Sequence, residues 1–210
     1  MKKKKQINQE LIDIHRLFPS TQTELNRTTS FQLLVAVILS AQSTDKQVNK
    51  VTWKLFQSIF YPEDILLLWE DKLKKEIKSI GLNKIKAHNI VTMSWQLLSK
   101  TYRWVIPKEV NELMKLAGVG LKTAKVVAHQ LYGALEIAVD THIHRVCNRL
   151  WRVHTKTPEQ TSKALEILIY KKNIYLAHHS LILFGRYQCK AKKPLCEQCP
   201  LQKNCSYFNK

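Results

Sequence analysis

The chain has 210 residues, 45% of them apolar, and 34 Lys and Arg against 16 Asp and Glu give it a net charge of +18. This length and apolar fraction suit one compact protein, and the charge favours a polyanionic partner, with nucleic acid ahead of an anionic membrane surface. No apolar run approaches the ~20 residues of a membrane-spanning helix, and MKKKK is not followed by the apolar core of a signal peptide, so a cytosolic protein is expected.

Hydrophobic periodicity predicts helices in the first part of the chain. Residues 7–18 carry a single apolar stripe, which is typical of an amphipathic helix. The apolar run 30–41 has the length of a buried helix rather than of a buried strand. Thr44 and Gln47 have the spacing of a capping box, which predicts that another helix begins there and reaches about Phe60.

Two short turns in this half are candidates for contact with a ligand. Gln42 lies in the polar turn LSAQSTD, where its side chain either bonds its own backbone or projects into a groove. Leu82 lies at the tip of IGLNKIKA, with Lys84 and Lys86 beside it. An exposed leucine on a basic turn can wedge between bases. A leucine folded back onto its own helix is the alternative interpretation.

The rest of the chain is predicted to be helical as well. Further helices are expected at 62–69, 71–79, 83–99, 108–116, 141–153, 159–171 and 174–187. Adjacent His178 and His179 face different ways on a helix, so we interpret them as packing or surface residues. No segment shows the alternation of a strand, and the prediction is an all-α chain of about ten helices.

The segment LAGVGLKTAKVV predicts two helices joined by a glycine turn. Gly118 and Gly120 permit backbone angles and close approaches that a side chain would forbid. The free N–H groups and positive dipole end of the second helix favour a phosphate, although plain packing of two helices is the alternative. Lys122 follows this turn by two residues, and Asp140 lies in AVDTHIHRVCNRL farther on.

Four of the five cysteines lie near the C-terminus with the spacing C-x6-C-x2-C-x5-C, at Cys189, Cys196, Cys199 and Cys205. A cytosolic protein rarely keeps such cysteines as disulfides, so a metal or cluster is expected. Zinc and a four-iron, four-sulfur cluster both accept four thiolates. The single close C-x2-C pair and the wide arms favour the cluster, in a loop-stapling role. The fifth, Cys147, lies on an apolar stripe and is interpreted as a buried core thiol.

These motifs, in this order and spacing, resemble the endonuclease III family, which consists of bifunctional DNA glycosylase/AP lyases of the helix–hairpin–helix superfamily. The LSAQSTD and IGL turns match as well, and the resemblance covers essentially the whole chain. It implies an all-α, two-lobed helix–hairpin–helix glycosylase fold. A six-helix barrel lobe would span about 23–134, and 1–22 with 135–210 would form a second lobe ending in the cluster loop 186–205.

The resemblance also implies the activity and the partners. The enzyme would remove oxidised or ring-saturated pyrimidines from duplex DNA and cleave the abasic site by β-elimination. It would hold one 4Fe-4S cluster through the four C-terminal cysteines and act as a monomer in the bacterial cytosol. Its DNA would carry a damaged pyrimidine or an abasic site.

Residue roles follow from the same resemblance. Lys122 matches the Schiff-base lysine and Asp140 the catalytic aspartate. Gln42 would fill the space left by the flipped base, and Leu82 would wedge the stack. The other DNA contacts would come from Gly118, Val119, Gly120, Lys125, Arg186, Lys190, Lys192 and Lys193.

The chain departs from the family pattern at two positions of the second helix. The family commonly has Arg and Asn where this sequence has Leu121 and Lys125, which bears on DNA affinity and damage preference. Two alternatives remain: a monofunctional adenine-mismatch-type glycosylase and a non-catalytic iron–sulfur DNA-binding protein. Lys122 argues against the first of these, since that branch typically lacks the lysine.

Overall fold

The computed structural model describes residues 3–19, 23–135 and 137–209. These residues form α-helices and no strand, which confirms the predicted all-α class. The helices are α1 Lys4–Leu17, α2 Ser30–Ser40, α3 Asp45–Leu55, α4 Pro62–Leu68, α5 Glu70–Glu76, α6 Asn83–Leu98, α7 Val110–Leu113, α8 Leu121–Tyr132, α9 Thr141–Val146, α10 Pro158–Leu168 and α11 Ile174–Leu183. None of them combines the length and apolar character needed to cross a bilayer.

The chain forms two compact units. The first spans Thr23–Tyr132 and contains α2 to α8. The second contains α1 and all the helices from α9 onward.

Helix α2 is the centre of the first unit. Its residues from Phe31 to Leu39 are all buried, as the continuous apolar run predicts. Thr29 caps its start, and Gln32 completes a capping box with Thr29. The amide of Gln32 also donates to the carbonyl of Ile59 at 2.8 Å, so this buried polar side chain ties α2 to the segment after α3.

Helix α1 packs in the second unit through its apolar stripe and two buried polar side chains. Ile7, Leu11 and Ile14 belong to the core of this unit. Glu10 accepts a hydrogen bond from Trp151 Nε1 at 2.9 Å. Asn8 donates to the carbonyl of Leu168 at 2.9 Å, so α1 is fastened to the end of α10. These bonds satisfy groups that burial would otherwise destabilise.

Two of the predicted helix signals were wrong in detail. Helix α3 ends at Leu55 instead of about Phe60. Thr44 does cap its start by accepting the Gln47 N–H, but the Gln47 side chain does not complete a capping box. It donates instead to Ser79 Oγ at 2.7 Å, because a tertiary partner lies within reach.

One other predicted helix is much shorter than expected, and two change their hydrogen-bond pattern towards their ends. The segment 108–116 forms only the single turn α7, because the glycine turn follows at once. Helix α9 continues as a π-helical turn at Cys147–Trp151, and α11 continues as another at Phe184–Gln188. Both π turns adjoin the cysteine loop, and such turns are frequent at functional sites.

Candidate active site and cysteine loop

Gly118 lies in the turn between α7 and α8, at a position that only glycine fits. Its φ angle is +78°, in the left-handed region where a side chain is strained. A Cβ at this position would also lie 2.9 Å from the Cβ of Asn89. The fold alone therefore requires this glycine.

Gly120 differs, because neither its backbone angle nor the described residues around it require a glycine. Its φ lies outside the left-handed region, and an added Cβ would meet no described atom within 4 Å. The open space at this position would allow an external group to approach the backbone closely. Between the two glycines, the side chain of Val119 is buried, so only its backbone could contact a ligand.

The first turn of α8 offers unpaired backbone donors. The first bond of this helix runs from the Ala124 N–H to the Gly120 carbonyl at 2.9 Å. Within the described residues, the N–H groups of Leu121, Lys122 and Thr123 have no acceptor. Such donors at the positive end of a helix favour an anion. Lys122 is exposed in this same turn.

Asp140 is held at the start of α9 as its N-cap. Its Oδ1 accepts the N–H of Ile143 at 2.9 Å, which orients the carboxylate. The other carboxylate oxygen has no hydrogen bond among the residues that the structure describes. Lys122 belongs to the first unit and Asp140 to the second.

Gln42 and Leu82 both have left-handed backbones, with φ of 55° and 59°, and both side chains are exposed. Each such residue costs roughly 1–2 kcal/mol relative to an ordinary backbone. The two turns are neighbours, since a Cβ on Gly81 would lie 3.6 Å from the Gln42 carbonyl oxygen. Leu82 is 52% exposed, which argues against a leucine folded back on its helix. Strained, exposed side chains of this kind are typical of functional positions.

Lys86 does not lie on the surface beside Leu82, as its place in the sequence suggested. Its side chain is buried in the first unit, and its Nζ donates to the carbonyls of Leu39 at 2.9 Å and Ala41 at 2.5 Å. Burial lowers the pKa of this ammonium from its ordinary value. Of the two lysines beside the turn, only Lys84 is exposed.

The four C-terminal cysteines line one pocket in the second unit. The wall of this pocket includes Leu150, Phe184 and Phe208 together with Cys189, Cys196, Cys199 and Cys205. The four thiols share the wall of one pocket, which is the arrangement that a four-iron, four-sulfur cluster bound by four thiolates requires.

The thiol chemistry is consistent with that fit. Burial raises the pKa of Cys189 and Cys199, while the positive charges of Arg149 and Arg145 oppose the rise at Cys189. A cluster binds cysteines as thiolates. The deprotonated sulfur would therefore be favoured by iron, and at Cys189 it is also favoured by the two arginines. Cys147, by contrast, is fully buried in the core, and burial raises the pKa of its thiol strongly, which confirms the predicted core role.

Arg145 fixes the chain that leads into the first cysteine. Its Nε donates to the Cys189 carbonyl at 3.1 Å and its Nη2 to the Gly185 carbonyl at 2.7 Å. A Cβ on Gly185 would lie 2.8 Å from the Cβ of His142, so this glycine lets α9 approach the π turn closely. The contact places the Arg145 guanidinium against both carbonyls.

Arg149 holds the next part of the loop. Its Nη1 lies 3.8 Å from Cys189 Sγ and donates to the Lys190 carbonyl at 2.7 Å. Its Nη2 donates to the Ala191 carbonyl at 3.1 Å, and its guanidinium carbon lies 4.5 Å from the ring centre of Tyr207. A planar, permanently charged group suits this combination of donors and stacking.

The basic residues predicted to contact the DNA backbone near the cluster differ in exposure. Lys190, Lys192 and Lys193 are exposed, and Lys193 has a φ of 51°. Arg186 is only partly exposed. In the first unit, Lys125 is also partly exposed.

The sequence interpretation missed Lys86, Arg145 and Arg149 as structural residues of these sites. Arg145 and Arg149 lie four residues apart in the motif that contains Asp140, which places them on one helix face. That spacing was a usable signal. For Lys86 no local pattern distinguishes a buried lysine from an exposed one.

The fold and these two sites define a class: helix–hairpin–helix proteins of base-excision DNA repair. Residues 35–170 match the HhH-GPD superfamily of base excision DNA repair proteins, and residues 189–205 match the iron-sulfur binding domain of endonuclease III. The chain is 48% identical to endonuclease III of Rickettsia felis over 91% of this chain and 89% of the relative. It is 44% identical to endonuclease III of Bacillus subtilis, over 96% of this chain and 92% of that relative.

The chain is also similar to the protein in a solved non-covalent endonuclease III–DNA complex. The two are 41% identical, and their structures superpose with a TM-score of 0.92 over 100% of this chain and 98% of that one. The chain belongs to the endonuclease III family. It is a DNA glycosylase and AP lyase that binds DNA and carries a four-iron, four-sulfur cluster.

Proposed function

We propose that this enzyme removes oxidised or ring-saturated pyrimidines from duplex DNA, acting as a monomer in the bacterial cytosol. The observation that carries the proposal is the first turn of α8. There the exposed Lys122 lies close after Gly120, in a turn whose Leu121, Lys122 and Thr123 N–H groups have no acceptor among the described residues and can hold a phosphate beside a reactive amine. Relatives named endonuclease III, and one trapped as a covalent intermediate with DNA, support it.

Lys122 is the proposed nucleophile. After the damaged nucleotide leaves the stack, the neutral Nζ attacks the sugar C1′ and the bond to the base breaks, with the electron pair leaving on the base. One amine proton passes to the departing base and the other to the ring oxygen O4′ as the C1′–O4′ bond breaks, which leaves an imine between Nζ and C1′. Removal of a C2′ proton then breaks the C3′–O bond, which nicks the strand on the 3′ side.

Asp140 is the proposed proton acceptor and electrostatic partner. With one oxygen fixed by the Ile143 N–H, the carboxylate keeps a defined orientation and one oxygen for the reaction. Gln42 fills the space of the extruded base, and Leu82 enters the stack. The exposed, left-handed positions of both residues support these roles.

The two units are proposed to be the two lobes of the family fold. The unit Thr23–Tyr132 is the barrel lobe, and the other, with the cysteine pocket, is the cluster lobe. The cluster staples the loop after Cys189 and has no assigned step in the reaction. Backbone phosphates are bound by the N–H groups around Gly118, Val119 and Gly120, and by the cationic side chains of Lys125, Arg186, Lys190, Lys192 and Lys193.

The test is borohydride trapping on three duplexes of one sequence. One carries thymine glycol, one a natural abasic site and one an 8-oxoguanine. We expect a covalent complex with the first two and none, or far less, with the third. Lys122→Gln abolishes trapping, whereas Lys125→Gln, on the same helix, weakens binding but still yields the covalent complex.

The other outcomes are equally informative. Base release without trapping indicates a monofunctional glycosylase, and binding without release indicates a non-catalytic protein. Trapping that persists in Lys122→Gln removes Lys122 as the nucleophile. Equal processing of the 8-oxoguanine duplex contradicts the proposed damage class, and sedimentation of a dimer contradicts the monomer.

A further inference from the structure

The end of α2 leaves a defined set of carbonyl groups to be satisfied. A helix ends with four carbonyls that have no partner within the helix. The Val37 carbonyl accepts the Ser40 hydroxyl at 2.8 Å, and the Ser40 carbonyl accepts the Ser43 N–H at 3.0 Å. The Ile38 carbonyl accepts the Ala41 N–H at 3.4 Å. Of the last four carbonyls, these local bonds leave that of Leu39, and the carbonyl of Ala41, just beyond the helix end, also remains.

Both remaining carbonyls accept hydrogen bonds from one side chain of a different helix. Lys86 lies in the first turn of α6, is 4% exposed, and donates from Nζ to Leu39 and Ala41 at 2.9 and 2.5 Å. A cation is favourable at the C-terminal end of a helix. Burial of a lysine ammonium is costly unless its N–H groups donate hydrogen bonds, and the two carbonyls offset part of this cost for Lys86.

These two hydrogen bonds lie close to both exposed turn residues. Gln42 directly follows Ala41, whose carbonyl accepts one of the bonds, and Leu82 lies four residues before Lys86, which donates both. Both residues have left-handed backbones, which relax to ordinary angles unless their surroundings hold them. A second bond, from Gln47 Nε2 to Ser79 Oγ at 2.7 Å, joins the same two chain segments.

We propose that Lys86 is a positioning residue that holds the Gln42 turn against the Leu82 turn, so that both side chains enter the DNA in one fixed arrangement. The inference rests on the proposed roles of Gln42 and Leu82. Lys86 acts through its hydrogen bonds to the backbone carbonyls of Leu39 and Ala41, and it does not contact the nucleotide. It supports recognition of the gap left by an extruded base, and it contributes little to binding intact DNA.

The main test compares Lys86→Met with Lys84→Met. Methionine keeps the length of the buried side chain and removes its donors, and Lys84 is an exposed lysine of the same turn, so both variants lose one charge. Affinities are measured for a duplex with a tetrahydrofuran abasic analogue and for the same duplex without damage. Lys86→Met is expected to weaken binding to the first at least tenfold and to the second no more than about twofold. Lys84→Met changes both by the same factor.

Two further measurements separate positioning from a general loss of structure. Without DNA, amide hydrogen exchange in the segment 39–44 should speed up in Lys86→Met and stay unchanged in Lys84→Met. In the Lys86→Met/Gln42→Ala double variant, the loss of abasic-duplex binding should be smaller than the sum of the two single losses, because part of the effect of Lys86 is exerted through Gln42.

Unchanged exchange in the segment 39–44, additive losses in the double variant, or equal losses on damaged and intact duplex each overturn the inference. A wild-type protein without preference for the abasic duplex contradicts the proposed function instead. Should Lys86→Met not fold, Lys86→Gln, which retains one uncharged donor, is judged by the same criteria.

Discussion

The turns before α6 and α8 both contain a left-handed backbone position, but the residue types at the two positions differ. Each joins two helices of the first unit and contains a residue with a left-handed backbone. Before α8 that residue is Gly118, the type that suits the angle. Before α6 it is Leu82, which suits it poorly and leaves half of its side chain exposed.

The difference separates structural from functional requirements. At Gly118 both backbone angle and space demand glycine, so the residue serves the fold. At Leu82 a glycine would relieve strain, and the exposed half of the side chain is available to a ligand. The comparison therefore supports a structural role for Gly118 and the proposed contact of Leu82 with DNA.

The largest effect is expected from Gly118→Ala. The left-handed angle costs roughly 1–2 kcal/mol for a residue with a Cβ, and crowding against Asn89 adds roughly 1–2 kcal/mol. The free energy of unfolding should therefore fall by roughly 2–4 kcal/mol, measured by urea denaturation with circular dichroism. An unchanged free energy of unfolding in Gly118→Ala would contradict the claim that the fold requires a glycine at this position.

Leu82→Gly should affect DNA recognition and leave the fold intact. Binding to an abasic-analogue duplex is expected to weaken about tenfold, because the wedge is lost. Stability should stay level or rise by up to about 1 kcal/mol, since relief of backbone strain offsets the greater freedom of the unfolded chain. Loss of stability with unchanged binding would reverse the assignment of this residue.

Asn89→Gly sharpens the account of Gly118 when combined with Gly118→Ala, because glycine lacks the Cβ that lies 2.9 Å away. Removing this crowding atom should restore about 1 kcal/mol and leave the cost of the backbone angle, while the cost of a glycine inside α6 cancels in the cycle. A double-mutant cycle in urea unfolding measures the recovered part. No recovery would assign the whole effect to the backbone.

Gly120→Ala should have the smallest effect on stability, within about 0.5 kcal/mol, because the added methyl meets no atom of the described residues within 4 Å. Affinity for duplex DNA should nevertheless fall about three- to tenfold if a phosphate approaches this backbone, as fluorescence anisotropy would show. Unchanged affinity would argue against a phosphate at this position.

Much of the site was predictable from local patterns. The glycine turn, the position of Lys122 after it and the start of α9 at Asp140 depend on residues close together in the chain, where helix and turn rules apply. The cysteine spacing likewise indicated a cluster before the pocket was known. The roles of Lys122 and Asp140 stay predictions until the trapping experiment is done.

The all-α class, the iron–sulfur site of the four cysteines and the family are predictable from residue types at short, regular spacings. The burial of Lys86, the bond from Gln47 to Ser79 and the bonds from Arg149 to the cysteine loop became visible only in the folded chain. Each of these contacts joins residues 32 to 47 positions apart. Whether such a polar side chain meets solvent or a buried carbonyl depends on how the helices pack, and no local pattern encodes that.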